Sequence, residues 1–151
     1  MAIIERTLAL QHVKSDAEDV EDPLVDFYIE AAVSICEGYC NRHFYEDDAA
    51  RYLAFDEGLV KLAEARTTRD AALDIHTACD IRDAIANRYI EEQGAALKMV
   101  NGCVADGNIK AAILMTFGFL YRQRPDVPAV PTHAMRILQP YLWIGNLVGG
   151  S

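Results

Sequence analysis

Cys36 and Cys40 stand one helical turn apart, with His43 close behind, and His76 and Cys79 stand three residues apart further on. Thiolate and imidazole groups brought from two helices are the donors of a zinc site. The competing role is structural, because cysteine packs as a small, usually buried hydrophobe. No CxxC pair occurs, so reduced, unligated thiols are expected and no metal ligand is assigned. A second set is acidic. Asp70 and Asp74, and Asp80 and Asp83, lie at helical spacing, with Glu91 and Glu92 beyond them. Such carboxylates hold magnesium in all-α phosphohydrolases. Here they alternate with Arg69, Arg82 and Arg88, as on a solvated helix. There is no GxxxxGK, GxSxG or HExxH motif, and the four histidines show no triad spacing. His12 and His133 read as surface residues. The expectation is a chain without catalytic residues or cofactor.

The elements that position these residues are helical. Residues 106–124 (DGNIKAAILMTFGFLYRQR) carry, from Ile109 to Tyr121, one charge and one aliphatic hydroxyl, Lys110 and Thr116. The run is too short for a bilayer, so it must be buried on nearly all sides as a central helix. Asp106 or Asn108 caps its start, Arg122 and Arg124 suit its C-terminal dipole, and Pro125 stops it. Gly118 implies close approach by a neighbouring helix. Residues 23–41 form a second helix, with Asp22 as cap and Pro23 at its first position. Asp26, Glu30, Ser34, Glu37 and Asn41 share an arc of about 80°, and nearly all the rest is apolar. That is more apolar surface than one core needs. Leu24, Tyr28, Ala31, Ile35 and Tyr39 are expected to face the central helix. Val25, Ile29 and Val33 are expected to meet a neighbouring subunit.

Residues 3–13 read as a short helix or arm, and 15–22 (SDAEDVED) as an acidic, solvated link. Residues 42–48 end the second helix in a polar turn, and 52–55 suggest a short strand or link. A short helix is expected over 57–66. Thr67 with Asp70 resembles a capping box opening a longer helix over 69–93, with Ile75, Ile81, Ile85 and Tyr89 inward and Gly94 as its stop. Asn101-Gly102 suggests the turn of a minor β-hairpin. Residues 125–131 (PDVPAVP) read as an extended loop, Thr132 caps a last helix over 133–138 that Pro140 ends, and 145–151 read as loose. Tyr141 and Trp143 offer either a docking handle for a partner or packing for the last helix.

At 151 residues, 52% hydrophobic and 25% charged, the chain suits one globular domain with a real core, and its helical elements make the expected fold all-α, a small helical bundle around a buried central helix. A net charge of −9 argues against gripping nucleic acid through its phosphates. It suits an acidic wall that DNA slides past. No leader peptide or transmembrane segment is read, so a soluble chain made in the cytoplasm is expected.

The order of motifs resembles a known family. Residues 7–45 contain a Leu…His-Val-Lys segment, an acidic link, then Ile29-x-Ala31-Ala32 and Tyr39-x-Asn41-Arg42. Residues 108–143 contain Ile109-Lys110-x-Ala112-Ile113, Leu120-Tyr121-Arg122-x-Arg124, Pro128, Pro131 and Leu138-x-Pro140-Tyr141. Together they cover about half of the chain and resemble the tailed-phage head–tail connector family, also called adaptor or head-completion proteins. Pro125 stands where the family often has an acidic residue, and Leu142 where it often has a basic one. Residues 52–106 match no part of the family and read as a helical middle segment of the same single domain, 1–151. The resemblance implies a non-enzymatic virion protein at the head–tail junction, made in the bacterial host. It implies a ring of about a dozen copies under the portal protein, with a stopper or tail-completion protein below and DNA passing through without sequence-specific binding. The alternatives are the metal-dependent phosphohydrolase built on Asp70–Asp83 and a generic helical interaction module.

Overall fold

The computed structural model describes residues 3–14, 23–123 and 128–145. Its elements are α1 (Arg6–Val13), α2 (Pro23–Cys40), β1 (Phe44–Tyr45), α3 (Asp48–Ile75), α4 (Cys79–Val100), β2 (Cys103–Val104), α5 (Gly107–Gln123) and α6 (Thr132–Leu138), followed by a 3₁₀ turn, Gln139–Tyr141. The fold is all-α with one two-residue strand pair. Among the described residues no helix is long and apolar enough to cross a membrane. The acidic link with Asp22, the helix stop at Arg124 and Pro125, the first residues of the loop after it and the last six residues lie outside the described segments.

The central helix is α5. Asp106 caps it, its Oδ1 accepting from the backbone N–H of Asn108 and Ile109 at 3.0 Å each. Ile109, Ala112, Ile113, Thr116, Phe117 and Leu120 are buried by α1, α2 and α6. Buried Thr116 donates to the Ala112 carbonyl at 2.9 Å, so its hydroxyl is satisfied within the helix. The C-terminus of α1 is held to α5 by Arg122, whose Nη2 donates to the Val13 carbonyl at 2.9 Å.

The α2 face most deeply buried against α5 adjoins the expected one. Val25, Ile29, Ala32, Cys36 and Cys40 are buried, while Leu24 is exposed and Tyr28, Ala31, Ile35 and Tyr39 are half-buried. Small inward residues let two helices approach closely, and tyrosine hydroxyls keep their access to water. The helix ends in a Schellman motif. Asn41, at φ 55°, takes the left-handed position, Arg42 N–H reaches the Glu37 carbonyl at 3.2 Å and Asn41 N–H the Gly38 carbonyl at 3.3 Å.

The middle of the chain also differs from expectation. The segment 52–55 is helical, and there is no continuous helix over 69–93. α3 starts at Asp47, whose side chain accepts from Ala50 N–H at 2.8 Å, and runs through Thr67 to Ile75. The Thr67 hydroxyl donates back to the Ala63 carbonyl at 3.0 Å instead of capping a new helix. The chain reverses at residues 76–78, where Arg82 Nη1 donates to the carbonyls of Leu73 and His76 at 3.2 and 3.3 Å. This cation at a helix C-terminus replaces the Gly or Pro that usually marks such a turn. Ile75, expected inward, is 75% exposed at the tip, and Ile81 is also exposed. Ile85 and Tyr89 are half-buried beside α3, where the Arg69 guanidinium lies over the Tyr89 ring at 4.4 Å. Gly94 lies inside α4, which continues to Asn101.

β1 and β2 pair in parallel, Phe44 with Cys103 and Tyr45 with Val104, so Asn101-Gly102 is not a hairpin turn. Parallel strands require a crossover, and the α3–α4 helical hairpin supplies it. The hairpin interface is made of small residues: Ala54, Gly58, Ala65 and Ala96 are buried. α6 begins one residue earlier than expected, at Thr132 with Pro131 as cap, and buries Ala134 and Leu138.

Two glycines give opposite expectations. A Cβ on Gly58 would lie 2.7 Å from Val100 Cγ2 and 3.2 Å from the Ala96 carbonyl oxygen. A Cβ on Gly118 would lie 3.5 Å from Val13 Cγ1, an ordinary contact with α1. Gly58→Ala should destabilise the protein by about 1–2 kcal/mol through overpacking, net of its gain in helix propensity. Gly118→Ala should stabilise it by about 0.5–1 kcal/mol. Urea unfolding of both variants checks the signs.

Candidate functional site

The structure separates the residues that could have made a catalytic centre. Cys36 and Cys40 are fully buried between α2 and its neighbours. Cys36 Sγ lies 3.4 Å from Thr116 Oγ1, and Cys40 Sγ is directed to the Leu138 carbonyl at 4.0 Å. Burial pushes the two thiols up to about 11 and about 12. Cys103 is half-buried and its thiol is also raised by burial, with the nearby Arg42 guanidinium pulling it back. Cys79 is exposed on the tip of the hairpin, away from the buried pair. Asp70, Asp74, Asp80 and Asp83 are all exposed and are divided between α3 and α4. Among the described residues no three His, Cys, Asp or Glu side chains group as a metal would require.

His43, considered above as a ligand, belongs to a structural hub. Glu37, near the end of α2, receives Phe44 N–H on Oε1 at 2.7 Å and His43 Nδ1 on Oε2 at 3.0 Å. The carboxylate holds the imidazole proton, so the His43 pKa is raised above its ordinary value. The His43 backbone is engaged as well: its N–H reaches the Lys98 carbonyl at 3.2 Å, and its own carbonyl accepts from Cys103 N–H at 3.0 Å. One carboxylate thus ties the end of α2 to β1 and, through β1, to α4 and β2. The sequence carried a signal for it, the helix-ending Asn41 between Glu37 and His43, and the reading above passed over it.

Val25 and Ile29, expected at a subunit interface, are corrected by their burial: Val25 is 0% and Ile29 8% exposed. They are core residues of this chain and leave no surface for a neighbour, while Val33 is half-buried against the same core. The apolar surface lies on the other side of α2. Phe27 is 62% exposed, and with Tyr28, Ala31, Ile35, Leu120 and Pro128 it lines an open groove of about 440 Å³. An edge-to-face ladder supports its floor, Phe27 to Tyr28 at 5.6 Å and Tyr28 to Tyr121 at 6.0 Å.

A second apolar face was missed. Tyr52, Leu53, Phe55, Leu59 and Val60 are exposed on α3, Leu53 at 72%. At 100° per residue they surround the direction opposite the buried Ala54, Gly58 and Ala65. The signal was available: once residues 52–60 are read as helix, Ala54 and Gly58 fall on one side and Tyr52, Leu53, Phe55, Leu59 and Val60 on the other.

Tyr141 and Trp143 are held by the chain itself. The Tyr141 hydroxyl donates to Asp106 Oδ2, the residue that caps α5, and accepts from Asn108 Nδ2 at 3.3 Å. That bond lowers the Asp106 pKa and raises that of Tyr141. Trp143 N–H donates to the Cys40 carbonyl at 2.9 Å, and Asn41 Nδ2 donates to the Trp143 carbonyl at 3.5 Å. Both residues fasten the C-terminal segment to the starts and ends of older elements. Among the described residues, the surfaces open to a partner include these two apolar faces. Compared with family models, curated proteins and solved structures, the chain matches none.

Two measurements check this account. With a disulfide exchange reagent at neutral pH, Cys79 should react first and Cys103 more slowly. Cys36 and Cys40 should lag by at least about a hundredfold until denaturant is added. Immediate reaction of all four thiols in folded protein would contradict the burial. The Glu37–His43 pair should make stability depend on pH. Its folded pKa is raised, so the contribution is complete below the ordinary value near 6.5 and is lost as pH rises through the raised one. The advantage of the parent over His43→Ala should shrink across that window. Because His43 is half-exposed, the change should stay below about 1 kcal/mol.

Proposed function

We propose that this chain is a ring-forming connector of a tailed-phage head, a structural protein that sits under the portal and lets DNA pass. The observation that carries the reading is how the two resembling stretches fold. Residues 7–45 supply α1, α2 and β1, and residues 108–143 supply nearly all of α5 with α6 and the 3₁₀ turn. Although some sixty residues separate them in sequence, they pack into one hydrophobic core with Phe117 and Ile113 at its centre. The motifs themselves hold that core. Asn41 ends α2, Arg122 binds the end of α1, and Tyr141 braces the cap of α5. The unmatched middle forms the α3–α4 hairpin, inserted as the crossover between two paired strands. A connector core with a helical insertion is therefore the reading these contacts support best. Two unpartnered apolar faces suit a protein whose work is assembly, and the acidic balance suits a channel that does not hold DNA.

The test is to mix the purified chain with the portal protein encoded beside it and view the product by electron microscopy. Ring density of about a dozen copies on one face of the portal is the expected result. Portals that stay bare at micromolar concentrations of both proteins would remove the reading. Turnover of nucleotides with magnesium, abolished by Asp70→Asn or Asp83→Asn, would replace it with the phosphohydrolase alternative.

A further inference from the structure

Two of the apolar surfaces that the described residues leave exposed differ in shape. The α3 ridge, formed by Tyr52, Leu53, Phe55, Leu59 and Val60, is convex. These five side chains expose roughly 500 Å² together, in the upper range of what a soluble monomer leaves bare. A subunit contact of ordinary size takes about 800 Å² from each partner, which the ridge and its polar margin can supply. The α2–α5 groove of about 440 Å³ is concave and apolar. It shares no residue with the ridge, so one molecule carries both a projection and a recess of the same character.

Asp56 decides which surfaces meet. It is exposed, and at 100° per residue it falls between Tyr52 and Val60, in the middle of the ridge. Two ridges packed about a two-fold axis would set two carboxylates against each other in an apolar contact, which costs both repulsion and desolvation. The groove instead offers donors, because Ser34 lines it and Tyr28 carries a phenolic hydroxyl. We infer that the α3 ridge of one copy seats in the α2–α5 groove of the next, with Asp56 accepting hydrogen bonds from Tyr28 and Ser34. A contact between two different surfaces propagates head to tail and closes into a ring when the rotation allows. It supplies the copy-to-copy contact of the connector proposed above and rests on that reading for the expectation that copies meet.

Site-directed cross-linking tests it. Leu53→Cys and Ala31→Cys are each made in a Cys79→Ser background, checked for fold by circular dichroism, and treated at about millimolar concentration with a short bismaleimide. The mixture of the two variants should give covalent dimer at least tenfold above either variant alone, and a chain carrying both should give a ladder. Adding Leu59→Asp should reduce the yield about tenfold without changing the melting temperature. Three labelling results would overturn the contact. One is cross-linking of Leu53→Cys with itself, which means ridge on ridge. Another is a yield no higher than that of Asp74→Cys paired with Ala31→Cys. The third is an Ala31→Cys thiol that a monofunctional maleimide cannot reach in the monomer, which means this chain covers its own groove. Portal-bound rings that persist with Leu59→Asp overturn this contact and leave the connector reading standing. A ridge-to-groove cross-link in a protein that ignores the portal does the reverse.

Discussion

Burial of α5 is the constraint on which the rest of the structure depends. Phe117, Ile109 and Ile113 are fully enclosed, and each contributes on the order of 2 kcal/mol by leaving water. No single neighbour covers the helix. α1, α2 and α6 each take one side of it, so they are positioned relative to one another largely through α5. The few polar groups near this axis are consistent with it. Thr116 bonds within its own helix, Arg122 leaves the apolar face to cap α1, and Asp106 caps the N-terminus with help from Tyr141.

Much of this was legible in the sequence, because a soluble run as apolar as Ile109–Tyr121 has one stable solution. The run of helical patterns also pointed to the all-α class. What the sequence could not decide was which side of α2 meets α5. Both candidate stripes are apolar, so their arcs alone do not say which one is buried more deeply. The structure buries Val25, Ala32, Cys36 and Cys40 and leaves Phe27, Tyr28 and Tyr39 toward the surface. The buried stripe includes Ile29 as well, but it holds no aromatic ring, while Phe27, Tyr28 and Tyr39 lie outside it. Cysteine in that stripe was the available clue, being among the most buried residue types.

The middle segment was misread for a different reason. Sequence punctuation normally comes from Gly and Pro, and the reversal between α3 and α4 has neither. Arg82 makes the turn by binding the carbonyls that α3 leaves unsatisfied, a contact nine residues away from Leu73 that no local pattern displays. Conversely, Gly58 and Gly94 both look like breaks and are helical. Gly58 is needed for approach to α4, where Ala96 and Val100 leave no room for a side chain. The strand pair was invisible because two residues carry no periodicity, and its partners lie on either side of the whole hairpin.

α2 and α3 share an arrangement that links fold to assembly. α3 turns its small residues toward its own chain, and both helices leave aromatic residues outside the buried stripe. For α3 the consequence is a hairpin with a thin interior, held by close backbone approach, the Arg69–Tyr89 stack and the Arg82 tip contacts. Its junction with the core is the strand pair and the Glu37 carboxylate, which fixes β1 against the end of α2. A ridge that must seat against another surface gains from such a junction, because any rocking at β1 would move the far end of a 28-residue helix by much more than its base. In the proposed assembly Glu37 would therefore act without touching a partner. It holds the direction of α3 relative to α2, and so the relation between the two apolar faces that a repeating contact requires.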